Sequence, residues 1–534
     1  MRNFLILSVI LSYLNNSNAG ISYLRSSDEE PDETVKLLRQ EKFPEDFKFA
    51  VGTAAYQIEG GWNANGKGES IWDRFTHEQP HRILDSSNGD IACDSYHKYE
   101  EDVQMMKNLG VNAYRFSLSW TRILPTGYNN VINQDGINYY HKLIDELLKN
   151  GIEPFVTIYH WDLPQSLQEI GGWTNDLIPD LLVDLADIAF KEFGDKVKIW
   201  VTINEPRQIC KMGYGDGWIA PSRNSPGIGD YLCTKNVLLA HARMYHLYHD
   251  KYAAQGGKIA PAMDNFWFQP ISPDDEEAAH RVFDFYTGIY ANPIFGSGDF
   301  PESVKKFVSA RSAKQHFASS RLPTLTEEEI NLIKGTYDFF GLNFYTSVIV
   351  NDAEESPVDL SIVSWNSDMG ADYDWDPEWE RATSWWLRVT PWNLPFVLRD
   401  LKRRYGDIDI YITENGLSDH ENKNDIQRAN YHLNHLNACL EAIADGVKLK
   451  MYTAWSLMDN FEWTHGYTNR FGLYHVDFND PERKRTPKLS AEVYKQVLAD
   501  RKLPNTTIST KGASNTIKIS FGLITISVIL NKLF

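Results

Sequence analysis

Two glutamates of this sequence stand where acid–base chemistry is readily done. Glu205 follows the β-branched run "VTIN" in "WVTINEP", and Glu414 follows "IYIT" in "YITENG". Two carboxyl groups that face each other can hydrolyse a glycosidic bond, one as proton donor and the other as nucleophile or base. A separation of about 5–5.5 Å gives retention through a covalent intermediate, and about 6.5–9.5 Å gives inversion through water. One glutamate at a strand end reads as a surface salt bridge, whereas two favour catalysis.

Arg115, in the run "VNAYRFSLSW", is a residue that could give the two glutamates different roles. A guanidinium group beside one carboxylate keeps it ionised, as a nucleophile requires. The other carboxyl group, close to that anion, then retains its proton and can act as the acid.

The elements that must position these residues alternate in type along the chain. Helical patterns end at a glycine and pass into apolar runs: "INYYHKLIDELLKNG" precedes "IEPFVTIYHW", and "DLLVDLADIAFKEFG" precedes "VKIWVTINEP". Glycine just after the last helical residue is a common stop, so we expect C-caps at Gly151 and Gly194. Thr326 and Glu329 predict a capping box for another helix.

Eight strand candidates of this kind fall between residues 43 and 502, with no Pro/Gly/Ser-rich linker to divide them. Alternating β and α segments of this number predict an α/β fold that is a single (β/α)8 TIM barrel with long βα loops, rather than an open doubly wound sheet. In such a barrel the active site lies at the carboxyl ends of the strands. Polar residues end seven of the eight strands, and together they predict one site: Gln57, Arg115, His160, Asn204 with Glu205, Asn343 with Tyr345, Glu414 and Trp455.

Composition excludes some function classes. The chain has 534 residues and a formal net charge of -19, from 72 acidic and 53 basic residues. Because no basic cluster carries interleaved aromatic residues, nucleic acid is not expected as a partner. No C-x-x-C spacing suggests a metal site, and no cofactor is predicted. The 16 Trp and 27 Tyr residues offer aromatic faces that suit sugar rings or ordinary packing.

The first 42 residues read as targeting and leader segments. Arg2, an apolar run over residues 4–14 and a small-residue site ending at Ala19 predict a secretory signal peptide, residues 1–19. Residues 20–42 are polar and charged, which indicates a loose leader or propeptide. The barrel domain is then expected over residues 43–502.

The C-terminal tail, residues 503–534, ends in the apolar run "ISFGLITISVIL". Small residues, a polar spacer and a terminal apolar run together resemble a lipid-anchor (GPI) signal, with membrane attachment as the consequence. The run has twelve residues, fewer than the roughly 20 that a spanning helix requires. An unanchored apolar tail or a terminal interfacial helix is the alternative. Nothing in the sequence indicates an oligomeric state.

Secretion would permit one disulfide among four cysteines. Cys210 and Cys233 are the favoured pair, with buried free thiols as the alternative. Asn505, in "NTT", is the glycosylation site expected in the mature chain.

Seven motifs resemble glycoside hydrolase family 1, and most closely its secreted animal β-glucosidases, including those of insects. They are "AAYQIEGGWN", "YRFSLSW", "YHWDLP", "TINEP", "YITENG", "WSLMDNFEW" and "NRFGLYHVDF", in that order. The resemblance covers about residues 43–502. It implies a retaining hydrolase of small β-glucosides with Glu205 as acid/base and Glu414 as nucleophile. Arg115 and Tyr345 match residues that orient the nucleophile.

The same resemblance implies a sugar pocket and an aglycone platform. Glu462 would act as an anion on two sugar hydroxyls, Asn204 would donate to the 2-hydroxyl, and Trp386 would carry the aglycone. The full set of substrate-binding positions implied is Gln57, His160, Asn204, Asn343, Trp386, Trp455, Glu462, Trp463 and Phe471.

Two other functions stay open at the level of sequence. One is a thioglucosidase (myrosinase-like). Plant versions replace the acid/base with Gln, because a thioglucoside leaving group needs no proton, so Glu205 argues for O-glycosides, but insect-type thioglucosidases keep both glutamates and are not excluded. The other is a non-catalytic sugar-binding protein on the same fold, against which the presence of both glutamates argues.

Overall fold

The computed structural model describes residues 35–353 and 359–509. The expected signal peptide and most of the expected anchor signal therefore lie outside the described residues. One compact unit spans Leu37–Ile508.

The strands of that unit, in chain order, alternate with helices as the sequence predicts. They are β1 Lys48–Gly52, β2 Ala113–Ser117, β3 Glu153–Tyr159, β4 Ile199–Asn204, β5 Lys258–Pro270, β6 Phe340–Asp352, β7 Ala371–Asp374, β8 Ile410–Asn415, β9 Leu449–Trp455, β10 Tyr474–Val476 and β11 Arg485–Pro487.

Eight of the strands close into a ring. Within the described residues each of β1 to β4 pairs with the strand that follows it in the chain. β5 then pairs with β6, β6 with β8, β8 with β9, and β9 with β1, and all of these pairs are parallel. This is the predicted (β/α)8 barrel. Two additions were not predicted: β7 pairs antiparallel with the outer part of β6, and β10 with β11 forms a separate hairpin.

The helices cover the outside of the ring and fill its loops. Their bounds are Ala55–Ile58, Ile71–Glu78, Ser95–Leu109, Trp120–Ile123, Gln134–Lys149, Gln165–Glu169, Ile178–Phe193, Gly229–Lys251, Glu276–Phe283, Ile289–Phe295, Glu302–Lys314, Glu327–Ile333, Trp365–Met369, Leu394–Tyr405, Ile426–Ala444 and Leu489–Asp500. In the part of the chain that the structure describes, no helix is both long and apolar enough to cross a membrane.

The helix ends follow local chemistry that the sequence shows. The Thr326 hydroxyl accepts from the Glu329 amide and the Glu329 carboxylate accepts from the Thr326 amide, so the expected capping box is present. Gly151 has a φ of 74°, as a glycine after a helix should. Gly194 differs: its φ is -70°, and a Cβ there would lie 2.0 Å from Gln255 Oε1. This glycine is explained by close packing rather than by a left-handed turn.

The barrel interior is filled by small and aromatic side chains that alternate with outward-facing ones along the strands. Ala50, Ala113 and Ala260 meet Phe155 and Met451 there, and all are buried. Large residues on the other face of the same strands pack against the helices. The packed interior closes the lower part of the barrel and leaves the carboxyl rim for polar side chains.

The domain extends past the expected bounds of 43–502 at both ends. The Leu38 amide donates to the Asn505 carbonyl, Leu37 bridges to Thr506, and the Leu38 side chain is buried. Residues 37–42 are therefore part of the barrel unit rather than a loose leader, because an apolar residue in them is covered by the chain's C-terminal segment.

Candidate active site

Glu205 lies directly after β4, at the rim. Its amide donates to the Ala262 carbonyl of β5 at 2.8 Å, and its φ is 47°, in the left-handed region. Trp161 and Trp463, which line the same cavity, also have positive φ values. Such strained backbone in non-glycine residues tends to occur at functional sites.

Glu414 ends β8 and both of its carboxylate oxygens are held. Arg115 Nη1 donates to Oε1 at 2.5 Å, and the Tyr345 hydroxyl donates to Oε2 at 2.7 Å. Arg115 is almost fully buried, and it also donates to the Thr413 carbonyl, the Thr157 hydroxyl and Asn204 Oδ1. The carboxylate is thus fixed in orientation by two charge-assisted bonds.

A short chain of hydrogen bonds joins the two glutamates. Asn343 Nδ2 donates to Glu205 Oε1 at 2.9 Å and to Asn204 Oδ1 at 3.1 Å. Arg115 Nη2 also donates to Asn204 Oδ1, at 2.6 Å, while its Nη1 holds Glu414. The pair predicted from two strands 209 residues apart is therefore brought together in one network.

The environments of the two glutamates differ, as their roles require. Burial raises the pKa of Glu205 well above its usual value, and the charges of Glu414 and then Asp264 raise it further. The Asn343 amide and Arg115 oppose that rise without cancelling it. The surroundings of Glu205 therefore favour its protonated form, whereas Glu414 accepts a hydrogen bond from the Arg115 guanidinium.

The rim encloses a cavity of about 530 Å³. It is lined by most of the predicted site residues: His160, Glu205, Asn343, Tyr345, Trp386, Glu414, Trp455, Glu462, Trp463 and Phe471. The other three predicted residues, Gln57, Arg115 and Asn204, are not among the lining residues, but each lies within hydrogen-bond distance of one of them.

Asn204 differs from the expectation that it faces a sugar hydroxyl. Its side chain is fully buried; Oδ1 accepts from Arg115 and Asn343, and Nδ2 lies 3.0 Å from His160 Nε2. Because its polar atoms serve other site residues, the structure gives Asn204 a positioning role.

Glu462 differs from the expectation of a free anion. Gln57 Nε2 donates to Glu462 Oε2 at 3.3 Å, but burial and then the charge of Glu414 raise the pKa of Glu462 to about 8. Its carboxyl group is thus protonated at neutral pH in this arrangement. The buried Gln57 Oε1 beside it has no hydrogen-bond partner among the described residues. Buried acceptors without partners are rare, and a sugar hydroxyl would satisfy this one.

His160 and three aromatic residues build the walls around these polar groups. Burial, and then Arg115, lower the pKa of His160 well below its usual value, so the ring is neutral. The rings of Trp455 and Trp463 stack within 25° of it, each at 6.0 Å. Trp386 lies edge-on to Tyr345 at 5.6 Å, where it can form one side of the opening.

Sequence reasoning missed one part of the site. Arg207, Lys211, Trp218 and Asp264 line the cavity on the Glu205 side, and Tyr373 of β7 joins them. Asp264 could have been found by the strand-end rule, because β5 was the one strand for which no polar end was considered. Tyr373 lies on β7, an inserted strand that the sequence pattern did not predict.

The cysteine pair lies next to the site. A disulfide joins Cys210, in the helical segment Gln208–Gly215, to Cys233 in the helix Gly229–Lys251. The other two cysteines, Cys93 and Cys439, are buried free thiols. Asn505 is exposed. Among the residues described, no group of three or more His, Cys, Asp or Glu side chains could hold a metal ion.

A (β/α)8 barrel with two opposed glutamates at its carboxyl rim defines the class of glycoside hydrolases to which this site conforms. The chain belongs to glycosyl hydrolase family 1, whose profile matches residues 39–503.

Individual relatives fit this assignment. Human lactase/phlorizin hydrolase is 46% identical over 468 residues, which cover 86% of this chain and 24% of that protein, so the chain spans about a quarter of its length. Human cytosolic beta-glucosidase is 44% identical over 468 residues, 86% of this chain and 99% of that protein. Among solved structures, aphid myrosinase is 43% identical with a TM-score of 0.82, covering 86% of this chain and 99% of that one.

Proposed function

We propose that this protein is a retaining β-glucosidase that hydrolyses small β-D-glucosides. One observation carries the proposal: both carboxylate oxygens of Glu414 accept hydrogen bonds from Arg115 and Tyr345, whereas burial and the charge of Glu414 raise the pKa of Glu205. A nucleophile and an acid at one rim are what double displacement requires.

In the first step the Glu414 carboxylate attacks the anomeric carbon and the glycosidic bond breaks. The Glu205 proton passes to the departing oxygen, so the aglycone leaves as a neutral alcohol and the sugar stays bound to Glu414 as an ester. Arg115 and Tyr345 lose their ionic partner at this point and regain it when the ester is cleaved.

In the second step Glu205, now ionised, takes a proton from water as the water attacks the anomeric carbon. The ester bond to Glu414 breaks, β-glucose leaves, and both glutamates return to their starting states. Two inversions give net retention.

Glu462 and Gln57 are the polar residues that we expect to select glucose. Its carboxyl group and the unpartnered Gln57 Oε1 lie together and can meet adjacent hydroxyls, whereas the Trp455 and Trp463 rings supply apolar area. Because one carboxyl group discriminates weakly between epimers, we expect side activity on β-galactosides and β-fucosides.

The roles are tested with Glu414→Ala and Glu205→Ala, assayed on an activated aryl β-glucoside with and without azide. A missing nucleophile lets azide attack the anomeric carbon directly, which gives the α-glucosyl azide. A missing acid/base leaves the covalent intermediate exposed to azide, which gives the β-glucosyl azide. Turnover without azide should fall by more than about 10³-fold in each variant.

If Glu414→Ala gave the β-glucosyl azide and Glu205→Ala gave the α-glucosyl azide, Glu205 would be the nucleophile and Glu414 the acid/base. Full turnover of Glu414→Ala would refute the mechanism and favour a sugar-binding protein. Release of α-glucose as the first product of the wild-type protein would refute retention.

A thioglucosidase is the second candidate, and similarity to aphid myrosinase over most of the chain favours it. Glu205 argues for O-glucosides, because an oxygen leaving group needs its proton, but it does not exclude insect-type thioglucosidases, which keep both glutamates. We therefore expect higher kcat/KM on aryl, alkyl or cello-oligosaccharide O-glucosides than on thioglucosides. Activity confined to thioglucosides would reverse this choice.

We also propose that the protein is secreted, glycosylated at Asn505 and held on the cell surface by a C-terminal lipid anchor. The terminal sequence patterns and the exposure of Asn505 support this. A phospholipase that cuts lipid anchors should release activity from membranes, and an N-glycosidase should lower the apparent mass. Activity that is already free in the medium before phospholipase treatment would refute the anchor but not secretion.

A further inference from the structure

A third carboxylate lies beside the two glutamates of the mechanism. Asp264 belongs to β5 and follows Ala262 by two residues, so both point to the same side of the strand. The Ala262 carbonyl accepts the Glu205 amide proton, which places Asp264 next to Glu205 along the rim. Asp264 is buried and lines the cavity.

Asp264 is tied to the turn that carries Glu205. Its Oδ2 accepts from Gln208 Nε2 at 3.2 Å and lies 3.3 Å from Arg207 Nε. Arg207 is itself fixed, with its guanidinium carbon 3.5 Å from the centre of the Tyr286 ring. The Asp264 side chain thus contacts both residues that follow Pro206, Arg207 and Gln208. These contacts help to hold the Glu205 backbone at its positive φ.

The carboxyl group of Asp264 also acts on Glu205. Burial raises the pKa of Asp264 itself, and the neighbouring Arg207 guanidinium opposes that rise by favouring the ionised form. A like charge nearby disfavours ionisation, and in a buried site that effect is weakly screened. Asp264 is one of two carboxylates that raise the pKa of Glu205, after burial itself; the other is Glu414. The other groups that act on or are acted on by Glu205 are Arg115, Asn343 and the hydroxyl-bearing Tyr286 and Tyr345, and the neutral His160 lines the same cavity.

We propose that Asp264 is a positioning residue for the reaction: it anchors the turn after Glu205 and, through its own carboxyl group, sets the charge around that glutamate. This rests on the proposed function, because it matters only if Glu205 is the acid. The substitution Asp264→Asn separates the two effects, since an asparagine Oδ1 still accepts from Gln208 while the charge is lost.

The test is the pH dependence of kcat/KM on an aryl β-glucoside whose leaving group needs protonation. In Asp264→Asn we expect the alkaline limb to move down by about one pH unit, because a like charge is removed and Arg207 is left uncompensated. The loss of kcat/KM should therefore be larger at the alkaline limb than at the optimum.

Asp102→Asn is the matched control. Asp102 is also buried and also pairs with an arginine, with Oδ1 3.0 Å from Arg485 Nε, but it does not act on Glu205. Its loss should lower thermal stability and leave the alkaline limb in place.

An unmoved limb in folded Asp264→Asn, or an equal shift in Asp102→Asn, would overturn the proposal. If Asp264→Asn fails to fold, Asp264→Glu decides, because it keeps the charge: its limb should stay at the wild-type position, and a downward shift would overturn the proposal. Absence of turnover in the wild-type protein would instead refute the proposed function.

Discussion

At the scale of one residue, the burial of the Glu462 carboxyl group affects the stability of the folded protein. Its neighbours leave the carboxyl group buried and close to the Glu414 charge, so its pKa rises to about 8. We expect the wild-type protein to lose stability for this reason as the pH rises.

The prediction concerns Glu462→Gln and the free energy of unfolding. A carboxyl group with a raised folded-state pKa favours the folded state fully below its unfolded value, near 4.5, and that contribution is lost as the pH rises to about 8. Glutamine has no such dependence. The variant should equal the wild type at pH 4.5 and exceed it by about 2–4 kcal/mol at pH 8.

Urea unfolding at both pH values measures this difference, and the variant should also lose sugar binding. An equal difference at the two pH values would mean that Glu462 is not protonated in the folded protein.

At the scale of elements, the loop after β4 is held from two directions. Asp264 of β5 holds its first turn, and the disulfide between Cys210 and Cys233 ties the next turn to the helix Gly229–Lys251. Because Glu205 begins this loop, loosening either restraint should affect the acid/base more than Glu414, which sits on a different strand.

The cysteine arrangement predicts a specific count of reactive thiols. Burial raises the pKa of Cys93 and Cys439 well above the usual value, so neither should react with a thiol reagent in the folded protein. Unfolding without reductant should expose two thiols, and unfolding after reduction four. Four thiols without reductant would show that the disulfide does not form.

Removing the disulfide gives the corresponding stability prediction. Cys210→Ser with Cys233→Ser opens a loop with a sequence separation of 23, which in the chain-entropy account costs about 3 kcal/mol. Thermal unfolding of the variant and the wild type measures the loss. Substituting the free pair Cys93 and Cys439 leaves the disulfide in place, so that variant should keep the wild type's sensitivity to reductant.

At the scale of the whole molecule, the first residues of the barrel unit contact its C-terminal segment. Leu38 is buried against the C-terminal segment, whereas its neighbour Leu37 is 82% exposed. Leu38→Ala should lower the free energy of unfolding by about 2–3 kcal/mol. Leu37→Ala is the control and should change it by less than about 0.5 kcal/mol.

Denaturant unfolding of both variants checks this. Equal effects of the two substitutions would mean that residues 37–42 behave as the loose leader that the sequence suggests, rather than as part of the barrel.

The sequence determined the barrel and most of its site, because both depend on local patterns. A glycine after each helix, an apolar run and a polar strand end repeat along the chain, and they placed Arg115, Glu205 and Glu414 on strands that meet at one rim. The same rule would have found Asp264, had it been applied to β5.

Only the tertiary structure decided which hydrogen-bond partners and which pKa values these residues have. Asn204 Oδ1 accepts from Arg115, and burial with the charge of Glu414 raises the pKa of Glu462 to about 8, and the local sequence shows neither of these. Hydrogen-bond partners and burial depend on residues from other strands that no local pattern specifies. The charge state of a carboxyl group depends on all of its neighbours at once, so it is fixed only when the strands close into a ring.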